Sequence, residues 1–132
     1  MIEVHASTPK LEAAMASLGI KNSTAIRAGD LYFFSGLTAV DLQTGQPVPG
    51  GIREHARYTL DLFAGILGEL GLTLDHVIKV NCYLAETADF AAWNEVYLDV
   101  FDAPYPCRTT VGSPLVLGSI EVEMVAATEP RR

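Results

Sequence analysis

The apolar positions along the chain change period several times, and each change marks an element. Ser23-Thr24-Ala25-Ile26-Arg27-Ala28 and Leu31-Tyr32-Phe33-Phe34-Ser35 read as two strands, with Gly29-Asp30 supplying a tight hairpin turn between them. Residues 37–50 hold no long apolar period. Asp41-Leu42-Gln43-Thr44-Gly45 is turn chemistry, and Pro47, Pro49, Gly50 and Gly51 lengthen the loop. From about 52 to 70 the period becomes helical: Ile52, Ala56, Leu60, Phe63, Ile66, Leu67 and Leu70 share one stripe, and Gly71 supplies a stop. Residues 77–84 predict a strand buried mostly on one face. A second helix is expected over about 88–101, with Phe90, Trp93, Tyr97, Val100 and Phe101 as its apolar stripe, until Asp102-Ala103-Pro104-Tyr105-Pro106 breaks it. Strands near 107–113 and 119–127 follow. In the last, Ile120, Val122, Met124 and Ala126 alternate with Glu121, Glu123 and Val125.

The order is therefore ββαβαββ, an α+β pattern for one domain spanning residues 1–132. Residues 1–20 form an N-terminal extension. Within it Thr8, Pro9 and the segment Lys10 to Ser17 read as a short helix with a Thr cap, Pro at its first position and Gly19 as its stop. A strand–helix–strand segment places its strands parallel with a right-handed crossover. Both helices then cover one face of a single mixed sheet and leave the other bare, which argues for oligomerisation.

Composition narrows the function classes. With 132 residues, 49% of them hydrophobic and 19% charged, the chain can bury a real core. The net charge of −7 and nine scattered basic residues exclude the clustered Lys and Arg of a nucleic-acid surface. No basic start with an apolar run marks a signal peptide, and no stretch reaches the roughly 18 apolar residues of a spanning helix. A cytoplasmic protein without membrane contact is expected, with Cys82 and Cys107 as free thiols in a reducing compartment. His5, His55 and His76 are far apart, lack metal-ligand spacing and read as surface or boundary residues.

Candidate chemistry gathers in short segments: Phe34-Ser35-Gly36, Thr44-Gly45, Asp89-Phe90, Trp93-Asn94-Glu95-Val96-Tyr97, Pro106-Cys107-Arg108-Thr109-Thr110 and Ile120-Glu121-Val122-Glu123. In this order and at this spacing they resemble the RidA/YjgF/UK114 family over roughly residues 22–128. The resemblance implies a chorismate-mutase-like fold, its two helices packed on one face of the sheet. It also implies a homotrimer associated through the sheets into a barrel-like core, with clefts between subunits. Active members hydrolyse enamine or imine intermediates, such as 2-aminoacrylate, to 2-keto acids and ammonia, with no metal and no organic cofactor.

By the same resemblance Arg108 grips the substrate carboxylate and Glu121 serves the attacking water. Physically, a guanidinium offers a rigid, permanently charged fork matched to a carboxylate. A carboxylate near an imine carbon can orient water and pass a proton to the departing nitrogen. The alternatives are a surface Arg in an ion pair and an exposed strand acid. Glu123 lies on the same face as Glu121, and motif register favours Glu121. Ser35 and Gly36 match the family's Ser-Gly at the end of the second strand, where glycine lets backbone approach the cleft. Asn94 matches a family Asn and reads as a tie between helix and loop. Trp93 and Tyr97 read as core. Cys107 reads as a buried small residue and not a nucleophile. Thr110 stands where many members have Cys, and Asn22 stands where many have a cleft-lining Tyr. Asn22 keeps three readings open: a generic enamine/imine deaminase, a specialised 2-aminomuconate-type deaminase, and a non-catalytic trimer that binds a 2-keto acid. RNA cleavage, attached to some relatives, does not suit the acidic charge.

Overall fold

The computed structural model describes residues 1–5, 15–41 and 43–132. Strands β1 (Ile2–His5), β2 (Ala25–Ala28), β3 (Leu31–Phe34) and β4 (Leu37–Thr38) precede helix α1 (Ile52–Glu69). Strand β5 (Val77–Leu84) leads through helix α2 (Phe90–Val100) to β6 (Cys107–Gly112), and β7 (Ile120–Ala127) follows. Short 3-10 turns at Leu74–His76 and Thr87–Asp89 introduce β5 and α2. The order across the sheet is β1-β2-β3-β7-β5-β6, with β4 also paired to β7. β5 and β6 are parallel, as their helical crossover requires. The other described pairs are antiparallel. The last strand therefore enters the middle of the sheet, and β6 is left at an edge.

Local chemistry explains the boundaries of α1. At its start the Gly51 N–H donates to the Glu54 carboxylate at 3.0 Å. This bond lowers the Glu54 pKa, together with a hydrogen bond from the residue's own backbone N–H, which is the larger cause. At its end Leu72 N–H reaches Leu67 C=O at 2.8 Å and Gly71 N–H reaches Gly68 C=O at 3.1 Å. Gly71 takes φ +76°, the left-handed conformation this Schellman closure needs. The hairpin pairs Ala28 with Leu31 across Gly29-Asp30, as the sequence predicts.

Both helices lie on one face. Leu60, Phe63 and Leu67 of α1 and Trp93 of α2 are fully buried with Val80 of β5 and Val122 of β7. Each such side chain contributes roughly 1.5–3 kcal/mol by leaving water. Two polar residues share the α1 stripe. Thr59 Oγ1 donates to His55 C=O at 2.9 Å. His55 is buried with both ring nitrogens engaged: Nε2 faces Val48 C=O at 2.8 Å and so carries the proton, leaving Nδ1 to accept from Ser119 Oγ at 2.6 Å. It is thus a satisfied core histidine, against the expectation of a surface or boundary residue.

A bulge in β5 between Val77 and Lys79 sets the faces of the sheet. Val77, Val80, Cys82 and Leu84 all point to the helices, while Lys79, Asn81 and Tyr83 point away. The face away from the helices has no cover among the described residues, and Phe33 is 47% exposed on it.

Three details depart from the sequence reading. β1 and β4 are additional strands. Phe90 opens α2 but is 43% exposed, so it is not core. The expected N-terminal helix falls partly outside the described residues; residues 15–17 are helical. No helix among the described residues is long and apolar enough to cross a membrane.

Candidate functional site

Arg108 sits on edge strand β6, opposite Val80 of β5, and so faces the helix side of the sheet. Its bed is made by α2. Phe90, Asn94 and Tyr97 fall at i, i+4 and i+7, one stripe of a helix. The guanidinium carbon lies 4.3 Å from the centre of the Tyr97 ring and 5.7 Å from that of Phe90, and one N–H donates to Asn94 Oδ1 at 2.8 Å. A guanidinium over an aromatic face gains about 0.5–2 kcal/mol, depending on its exposure, and is held flat. None of the ion pairs among the described residues includes Arg108. Its charge is carried by rings and an amide, which leaves the fork without an anionic partner among the described residues. Beside it the Trp93 indole N–H donates to Thr110 Oγ1 at 3.2 Å, pinning β6 to α2.

Glu121 and Glu123 lie on the central strand and point to the open face, since their antiparallel partners are Tyr83 and Asn81. The two carboxylates differ. Glu123 accepts from Tyr83 OH at 2.5 Å and from Asn81 Nδ2 at 3.2 Å. That hydrogen bond, then burial and the two carboxylate charges, raises the Tyr83 pKa. Glu121 has no such donors among the described residues. It lies against Gly36, where a Cβ would stand 3.2 Å from both Glu121 Cγ and Cδ. Glycine at this position makes room for the carboxylate side chain.

A cavity of about 490 Å³ adjoins Glu121. Asn22, Gly36, Thr38 and Glu121 line it, together with apolar side chains such as Leu18 and Leu62. The structure therefore brings Asn22, Gly36 and Glu121 together. Ser35 stands next to this group, but its hydroxyl is spent on Ser23 C=O at 2.6 Å. Arg108, Asn94 and Thr110 form a second group on the opposite face of the same sheet, and one chain does not join the two. Asn94 ties its helix to Arg108 rather than to a loop. Cys107 is exposed on edge strand β6, which corrects the reading of a buried small residue: it alternates with Arg108 and so faces away from the helices. Cys82, by contrast, is buried, and burial pushes its pKa up to about 12 although the Arg108 charge pulls the other way.

The sequence reading missed the cradle. Tyr97 and Phe90 were assigned to the core by spacing, and that same spacing aligns them with Asn94 beneath Arg108. The cavity walls left no periodic signal, because they come from four separate segments.

The family model described as Endoribonuclease L-PSP matches residues 12–129, most of the chain. The chain belongs to the RidA/YjgF family. One relative of this RidA-family chain, the mitochondrial protein mmf2 of Schizosaccharomyces pombe, is 39% identical over 122 residues, 89% of this chain and 95% of that one. The 2-iminobutanoate/2-iminopropanoate deaminase of Capra hircus is 32% identical over 126 residues, 94% of this chain and 89% of that one. Among solved structures, YEO7 of yeast superposes with a TM-score of 0.81 at 27% identity, covering 98% of this chain and all of that one. The fold is the chorismate-mutase-like α+β fold of the family. The word mitochondrial in a relative's name means that family membership does not fix the compartment.

Proposed function

We propose that this RidA-family chain is an enamine/imine deaminase, acting in clefts formed between copies of the chain in a homotrimer. The observation that supports it most is the pair of groups on opposite sheet faces. Among the described residues, a guanidinium is held flat without an anionic partner on one face, and a carboxylate without a hydrogen-bond donor on the other borders a cavity. A cleft where the edge of one copy meets the open face of the next unites them. Relatives named 2-iminobutanoate/2-iminopropanoate deaminase, 32% identical, support the same chemistry.

In this reading Arg108 of one copy binds the substrate carboxylate through its fork. An enamine first tautomerises to the imine. Water then adds to the imine carbon while the carboxylate of Glu121 from the next copy takes one of its protons and delivers it to nitrogen. The resulting carbinolamine collapses, the C–N bond breaks, and ammonia and a 2-keto acid leave. The net reaction consumes one water and changes no oxidation state.

The two roles separate kinetically. Arg108→Ala removes a charge-assisted contact of about 1.5–3 kcal/mol, so binding of a 2-keto acid is lost, and Arg108→Lys restores little because a point charge lacks the fork. Glu121→Gln keeps that binding and lowers turnover by about 10²–10⁴-fold. Calorimetry with pyruvate, run beside an ammonia-release assay on imines generated in situ, measures both. Parent-like binding by Arg108→Ala overturns the site. Parent-rate turnover by Glu121→Gln leaves a keto-acid-binding protein.

A further inference from the structure

We propose that the cavity beside Glu121 is a side-chain pocket, and that it selects 2-imino acids with long aliphatic or aryl side chains over those with methyl or ethyl side chains. The inference rests on the deaminase reading of the site and names its substrate class.

Three observations carry it. First, the cavity is built from four separate parts of the chain: residues around Leu18 and Ile20, the loop and strand around Gly36 and Leu37, Leu62 of α1, and the loop at Val116. Its floor includes the buried Leu37, while Leu18 and Ile20 are 45% and 40% exposed at the rim. Secondly, two of its four polar side chains are already committed. Thr38 Oγ1 donates to Ile120 C=O at 2.7 Å, and Asp41 Oδ1 accepts from the backbone N–H groups of Gln43 at 2.7 Å and Thr44 at 3.3 Å. Among the described residues this leaves Asn22 and Glu121 to meet a ligand, and the rest of the wall is apolar. Thirdly, about 490 Å³ lies within the roughly 300–1,000 Å³ typical of pockets that enclose drug-sized ligands. A methyl or ethyl side chain leaves most of that apolar wall wet. A four-carbon or phenyl side chain covers it, while the reacting carbon stays by Glu121.

A chain-length ladder tests this. The affinities of pyruvate, 2-oxobutanoate, 4-methyl-2-oxopentanoate and phenylpyruvate are measured by calorimetry on the full chain, beside ammonia release from the matching imines. Burial of each further methylene raises affinity about fourfold, so the ladder should climb by at least roughly tenfold from pyruvate to the branched acid. Ile20→Asp and Val116→Asp, at rim positions that the core does not need, should flatten it. A flat ladder in the parent, or one unchanged by both variants, overturns the pocket. The outcomes for pocket and site are distinguishable. Loss of all binding in Arg108→Ala with a flat parent ladder sinks the pocket alone. A steep ladder that survives Arg108→Ala upholds the pocket and sinks the assigned carboxylate grip. Failure of every keto acid to bind the parent overturns both.

Discussion

Gly36 shows how one residue can set the position of another. Its backbone is not strained; what requires glycine is the Glu121 side chain, 3.2 Å from where a Cβ would stand. Gly36→Ala should therefore push the carboxylate aside by a few tenths of an ångström. We expect turnover to fall several-fold, short of the roughly 10²-fold that a full ångström of misplacement can cost. The melting temperature should stay near that of the parent, because an exposed side chain can give way. The two thiols make a second residue-scale contrast. Cys107 is exposed, whereas Cys82 is buried with its pKa pushed up to about 12. A disulfide reagent at pH 8 should titrate one thiol in the native protein and two in denaturant. Because the Cys82 pKa is raised by folding, its contribution to stability is full below about pH 8.5, its unfolded value, and is lost as the pH climbs towards 12.

At the scale of elements, α2 does two jobs with one stripe: Trp93 and Tyr97 fill the core, and Tyr97 also underlies Arg108. Tyr97→Leu keeps the apolar packing and removes the ring. It should weaken keto-acid binding by roughly 2- to 30-fold, the range set by a cation–π contact of about 0.5–2 kcal/mol. Tyr97→Phe should bind like the parent and be no less stable, since the buried Tyr97 hydroxyl has no hydrogen-bond partner among the described residues. Calorimetry and thermal melts separate the two. The sequence made the long elements legible because burial wrote a period into them: α1 and β5 begin and end within a residue of their expected bounds. β1 was not legible because Ile2 and Val4 are 62% and 64% exposed, so no buried face marks it. The two residues of β4 are too few to show any period. His55 was misread because hydrogen bonds, not hydrophobicity, allow it inside. The candidate site offered its residue types and motif register in the sequence; the sheet faces on which they fall needed the pairing register, including the bulge at the start of β5.

For the whole molecule, the proposed trimer should sediment at three times the chain mass of 14.2 kDa. A stable monomer at micromolar concentration would leave Arg108 and Glu121 on opposite faces with no way to meet, and would count against the clefts. That same opposition has a genetic corollary. If each cleft takes its arginine from one copy and its glutamate from the next, the two loss-of-function variants damage different sides of the shared site. Arg108→Ala and Glu121→Gln, each inactive as a pure protein, should complement each other when unfolded together and reassembled. Random mixing at equal amounts restores both intact partners in about a quarter of the clefts. Activity would then emerge from two dead parents.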